Sequence, residues 1–320
     1  MIPDVVRPHA PAPPAFGGPV AYGGLSPEHG YRYRPPRRTA AGSVVAVFGG
    51  VAAVMVIAIV VLSLLTQSHR TTAQAGSATR HGTRAEATNS KLYSTGELSP
   101  VPCKLPGISK STASMQGFMD TLSDCLDSAW RTQFGKAGLP FTPATRMFWT
   151  EPGRGACGSY PVPGTAAFYC PANNTMYVGL TDVISNSGNE PVSHYAVYAR
   201  VIAHEYGHHI QDEAGILDYG HQLMAAPDIA GRTEASRRLE LQAQCFAGAF
   251  LAAEGKTLPM TAKQYRLLLL DVRSRGDDGQ PLSRHDHGSN QHYAGWVVIG
   301  YQQKVLAACN TWTVPPSAVS

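Results

Sequence analysis

The stretch Val201-Ile202-Ala203-His204-Glu205-Tyr206-Gly207-His208-His209-Ile210 holds the residues best suited to chemistry. His204 and His208 are four apart, so on a helix they share one face, a turn from each other, and both imidazoles can reach one metal ion. Glu205 is rotated round from His204 and is not expected as a ligand. It can lean over the open side of the metal and take a proton from water. The spacing is that of metal-assisted hydrolysis. Scattered histidines on a surface helix would give the same string, but the flanks argue otherwise. Val201, Ile202, Ala203 and Ile210 are apolar, and Pro191-Val192-Ser193 offers a helix start. His209 points off the ligand face.

A catalytic zinc has three protein ligands and one open position. The third candidates are Glu240, Glu234, Glu213, His221, His285 and His287. Glu240 is favoured because its helix has a mainly apolar face, where a carboxylate is costly to bury without a counter-charge such as zinc. The alternative is an exposed Glu240 paired with Arg237 or Arg238. His287, in the run Arg284-His285-Asp286-His287-Gly288-Ser289, could donate to a developing oxyanion, cap the next helix or be solvated. Tyr206 and Tyr293 read as buried aromatic packing.

The elements that must position these residues follow from periodicity. From Ser111 to about Lys136, Met115, Phe118, Met119, Leu122, Leu126 and Trp130 recur at helical steps, a core stripe. Short β-like runs follow at 145–150, 167–170 and 175–180, divided by Gly, Pro and Asn turns. The motif helix is expected at 194–213. A loop with Pro227 and Gly231 leads to a second long helix at about 233–253, and further helices are expected at 262–273 and 290–308. A few strands followed by several helices is an α+β pattern.

Before this domain the texture differs. Residues 1–42 hold nine prolines and two Gly-Gly pairs, and are expected to be a disordered tail. Residues 44–65 are 22 uncharged, apolar positions, long enough at 1.5 Å rise to cross about 30 Å of bilayer, so 43–66 is expected to be a transmembrane helix. Arg32, Arg34, Arg37 and Arg38 precede it, which places the amino terminus in the cytoplasm. A cleavable signal peptide ending near Ala73-Gln74-Ala75 is the rival, but the apolar run and its leader are both long for one. Residues 67–91, rich in Ser, Thr, Ala and Gly, are expected to be a flexible stalk, and 92–320 the globular domain. Net charge is +4, and no Lys/Arg block interleaves with aromatics, so a nucleic-acid partner is not indicated. All six cysteines lie after residue 102 without a Cys-x-x-Cys pair, which points to disulfides in an oxidising compartment rather than a thiolate zinc site.

Several blocks together resemble a known family. They are Ala167-Phe168-Tyr169-Cys170-Pro171-Ala172, the 201–210 stretch, Glu240-Leu241-Gln242-Ala243-Gln244-Cys245-Phe246-Ala247-Gly248, and His287-Gly288-Ser289 followed by a helix with Trp296. From about Leu92 onward the chain resembles the bacterial neutral zinc metallopeptidases, with a gluzincin-like site. The resemblance implies a zincin-like fold, Zn2+ held by His204, His208 and Glu240, and Glu205 as catalytic base. One position departs: the family's second-helix motif carries Asp where this chain has Gln244. In related sites that carboxylate accepts a hydrogen bond from the outer nitrogen of a ligating histidine, and an amide can accept but brings no charge. Sequence nearness and the family's cysteine placement imply the pairs Cys103–Cys125, Cys157–Cys170 and Cys245–Cys309. The expectation is a single-pass bacterial membrane protein whose extracytoplasmic zinc metallopeptidase domain acts on a peptide or protein substrate. The alternative is a metal-binding interaction protein on a zincin scaffold with weak or no turnover, which Gln244 favours.

Overall fold

A computed structural model describes residues 82–161, 165–186 and 191–320. The expected tail, the transmembrane helix at 43–66 and most of the stalk lie outside the described residues. Among the described residues no helix is long and apolar enough to cross a membrane. The architecture is α+β.

The end of the expected stalk is packed on the domain. Helix α1 (Arg84–Thr88) starts with a capping box: Glu86 N donates to Thr83 Oγ1 at 3.2 Å, and Thr83 N donates to Glu86 Oε2 at 2.6 Å. Ala87 is fully buried, Gln222 holds the Gly82 carbonyl and Asn310 holds that of Thr88. The polar composition of 67–91 masked this Thr-x-x-Glu signal.

Helix α2 (Thr112–Ala137) is capped by the Ser111 hydroxyl and ends at Gly138 in the left-handed region, φ 62°. Its predicted stripe is the buried one, from Met115 to Trp130. Five strands follow among the described residues. These are β1 (Thr145–Trp149), β2 (Gly153–Gly155), β3 (Gly158–Tyr160), β4 (Ala167–Cys170) and β5 (Thr175–Gly179). β1 pairs parallel with β5 in the register Thr145↔Thr175, and β4 pairs antiparallel with β5, in the order β1-β5-β4. β4 is therefore an edge strand. The β2–β3 hairpin escaped the sequence reading because its glycines carry no alternating apolar pattern.

The helices that follow in the described residues are α3 (Leu180–Asn186), α4 (Tyr195–Glu213), α5 (Ile216–Met224), α6 (Ile229–Ala253), α7 (Ala262–Val272) and α8 (Asn290–Gln303), of which α3 and α4 pack on the sheet. Four differ from expectation, α3 being a helix where none was expected. α5 occupies the expected loop, burying Ile216, Leu217 and Gly220. α6 begins at Ile229 rather than about 233, because the Asp228 side chain accepts from Ala230 N and Gly231 N and so caps the helix earlier. α8 stops at Gln303, where Lys304 turns left-handed at φ 59°. α4 crosses α6 closely: a Cβ on Gly207 would meet Ala243 Cα at 2.9 Å, so glycine is what permits the approach. The three disulfides are Cys103–Cys125, Cys157–Cys170 and Cys245–Cys309, and the last ties α6 to the segment after α8.

Candidate metal centre

The close crossing brings three side chains to one point. His204 and His208 come from α4 and Glu240 from α6. His204 Nε2 is 3.2 Å from His208 Nε2 and 3.1 Å from Glu240 Oε2, and His208 Nε2 is 3.4 Å from Glu240 Oε1. Ligand atoms bound tetrahedrally to one zinc ion at about 2.0–2.1 Å stand about 3.3 Å from one another. The observed triangle has that size, and two imidazoles with one carboxylate are a zinc donor set. The residues fit the ion.

Glu205 lies beside this set, 8 % exposed, and burial pushes its carboxyl up to about 7 despite the neighbouring His208. Burial acts against the charge of Glu240 too, but His208 and His204 outweigh it and hold that carboxyl well below its ordinary range. Glu240 makes no pair with Arg237 or Arg238. Arg238 binds Glu234 at 2.8 Å, and Arg237 donates to the carbonyls of Val319 and His285. Among the other candidate ligands, Glu213 accepts from Thr142 N, and His221 lines a cavity that opens on the centre without joining the set.

His287 reaches the centre. Its Nε2 is 3.9 Å from Glu240 Oε2, while its Nδ1 is 2.7 Å from Asp286 Oδ1 and 3.7 Å from Asp277 Oδ1. Burial opposes charging this ring, but Asp277 and Asp286 prevail and push its pKa well above the usual histidine range. Tyr206 is buried with its hydroxyl donating to Asp127, away from the centre. His209 packs against Phe141, Tyr169 and Tyr206.

One supporting residue was missed in the sequence. Gln211 Oε1 is 2.9 Å from His208 Nδ1, while its Nε2 donates to Leu239 O at 2.8 Å and to Gln242 Oε1 at 3.1 Å. Gln242 in turn donates to Tyr93 OH and to Cys309 O. Both donations of Gln211 are committed, so its oxygen accepts and the His208 proton sits on Nδ1, which leaves Nε2 free for a metal. The available signal was a glutamine three residues past His208, on the same helix face.

The hydrogen bond expected from a ligating histidine to Gln244 is not made. Gln244 is fully buried, and neither its Oε1 nor its Nε2 has a hydrogen-bond partner among the described residues; His204 Nδ1 is likewise buried and unpartnered.

Two adjoining cavities meet at the centre. One, of about 280 Å³, is walled by Phe168, Leu217, Met224 and Leu239. The other, of about 300 Å³, is walled by Arg200, Val201, Arg275 and Tyr293. Thr165, Ala167, His204, Glu205 and His287 line both.

The family described as "Putative neutral zinc metallopeptidase" matches residues 36–312, well over half of the chain. The chain belongs to this family. The zinc metallopeptidase family implies zinc, in agreement with the donor set. Among relatives, the uncharacterised protein YpfJ of Escherichia coli (strain K12) is 28 % identical over 204 residues, 61 % of this chain and 70 % of the relative. The uncharacterised protein Rv2575 of Mycobacterium tuberculosis (strain H37Rv) is 31 % identical over 196 residues, 53 % of this chain and 62 % of the relative. No solved structure matches the chain.

Proposed function

We propose that this protein is a zinc metallopeptidase with a zincin-like domain, held outside the cytoplasm by a single membrane span at 43–66. The observation that carries the reading is the zinc-sized triangle of His204, His208 and Glu240 with Glu205 buried beside it. When bound, zinc supplies a Lewis-acid charge that polarises the scissile carbonyl and acidifies water. Glu205 takes the proton from the attacking water and passes it to the leaving amine, a task suited to a carboxyl raised to about 7. The His287 imidazolium, oriented by Asp277 and Asp286, donates to the oxyanion as charge develops. Among the described residues β4 offers an unpaired edge of its sheet beside the centre, where an extended peptide can add as a strand. Three disulfides support an oxidising location.

A second reading, a metal-binding interaction protein without efficient turnover, is favoured by Gln244, whose amide, like His204 Nδ1, is buried without a hydrogen-bond partner among the described residues. Metal analysis of the purified full-length protein, combined with hydrolysis of a denatured protein, separates the two. The peptidase reading expects about one zinc per chain, cleavage that a chelator abolishes and zinc restores. Bound zinc without any cleavage would favour the second reading, and no bound metal would contradict both.

A further inference from the structure

The loop that carries His287 is tied to the helix that carries Glu240. Arg237 stands three residues before Glu240 on α6, so the two side chains leave neighbouring positions of one helix face. Arg237 is buried, and its Nη1 donates to His285 O at 2.7 Å, two residues before His287. Its Nε donates to Val319 O, also at 2.7 Å. The stem packs under the next turn, where Gly288 is left-handed at φ 82° and a Cβ on it would meet Arg237 Cδ at 3.7 Å. The charges of Glu234, Asp277 and Asp286 act on this guanidinium, but its hydrogen-bonded acceptors are both main-chain carbonyls. A planar, two-pronged donor used in this way fixes the course of the backbone.

The other bonds of the loop lead elsewhere. Asp277 N donates to Gly288 O at 2.8 Å, and the Asp277 carboxylate accepts from His287 N. Asn290 N donates to Asp278 Oδ2 at 2.9 Å, and Ser289 N to Ser320 O at 3.1 Å. These hold the loop to the segment after α7 and to residue 320, neither of which carries a metal ligand. Among the described residues, the Arg237–His285 bond is the hydrogen bond that joins α6 to the loop. Fastening Val319 to α6 would need only the Nε bond, and Val319 is already fully buried.

We propose that Arg237 is a positioning residue for His287. By holding the His285 carbonyl from the turn of α6 that ends in Glu240, it sets the 3.9 Å between His287 Nε2 and Glu240 Oε2, and so how well the ring meets the oxyanion. A misplacement of about 1 Å at a reacting centre costs on the order of 100-fold in rate. The inference rests on the peptidase reading and on the donor role of His287 within it.

The test uses zinc-loaded full-length protein, one peptide substrate and its phosphinic analogue, whose tetrahedral phosphinate stands in for the oxyanion. His287→Ala should lower kcat by about 100-fold. Arg237→Met should lower kcat by about 10- to 100-fold, with KM and zinc content little changed. In the double variant the two losses should not multiply, because one residue acts through the other. Arg237→Lys, a point charge in place of a fork, should recover part of kcat. A structural role alone would lower the melting temperature and leave kcat of the folded protein unmoved. Wild-type kcat in Arg237→Met or in His287→Ala would overturn the proposal, as would losses that multiply in full. Should Arg237→Met not fold, Arg237→Lys decides: a lowered kcat whose deficit disappears on the His287→Ala background supports the proposal, and wild-type kcat overturns it. If the wild type binds the phosphinic peptide but cleaves nothing, the peptidase reading fails alone, and the same cycle is read in binding affinity. Coupled losses then keep the positioning role, whereas wild-type affinity in Arg237→Met removes it. A wild type that neither cleaves nor binds the analogue overturns both.

Discussion

Gln244 is the residue at which this chain tests its own site. A buried amide with both ends unsatisfied costs about 1–3 kcal/mol relative to an apolar side chain of similar shape. Gln244→Met should therefore raise the thermal midpoint without strengthening zinc binding. Gln244→Asp should instead raise zinc affinity, by about 10- to 100-fold, by giving His204 Nδ1 a charged acceptor. Zinc titrations of the three proteins check this, and no gain for the aspartate would mean that His204 is held in another way. His209 supplies a separate, metal-independent expectation. Burial lowers its pKa from 6.5 to about 4, so the unfolded chain binds its proton first as pH falls. Stability present above 6.5 is then lost progressively towards about 4, a contribution of about 3 kcal/mol. In metal-free protein, His209→Phe should flatten the fall of the melting temperature across that window; an unchanged slope would show that the ring is not the group responsible. His204, Glu205 and His208 were legible because a four-residue step fixes their faces whatever the rest of the chain does. The missing partner of Gln244 was not, because it depends on how α6 is rotated against α4.

At the scale of elements, the centre exists because Gly207 lets α4 approach α6 and because Gln211 links the two helices. Gln211 anchors His208 to the Leu239 carbonyl and, through Gln242, to the segment that Cys245–Cys309 holds. Gln211→Ala should lower zinc affinity by about 10- to 100-fold while the protein stays folded, and Gln211→Glu, which keeps the acceptor, should recover part of the loss. A packing role alone would lower the melting temperature equally in both and leave zinc affinity unmoved. The α2 stripe and the motif helix were readable from apolar periodicity. α1, α5 and the β2–β3 hairpin were not, for each is short and is fixed by a cap, a neighbour or a pair of glycines rather than by a pattern of its own.

For the whole molecule, the apolar run at 44–65 and the arginines before it lead to one expectation. Protease added to intact cells should remove the domain that begins near residue 82 and spare the amino-terminal tail. A reporter fused after Ser320 that proved cytoplasmic would contradict the proposed topology and leave the three disulfides without an oxidising compartment. The disulfide pairs could be expected from family likeness, but composition and spacing alone left fifteen connectivities open for six cysteines.

The central claim is that Glu205 handles a proton while His204 handles the metal. It is tested by measuring zinc content and peptide hydrolysis side by side in the full-length wild type, Glu205→Gln and His204→Ala. The account predicts that Glu205→Gln keeps its zinc and loses hydrolysis by at least about 100-fold, the scale of general acid–base catalysis, whereas His204→Ala loses both. Equal zinc loss in the two variants, or a Glu205→Gln protein that still cleaves, would contradict it.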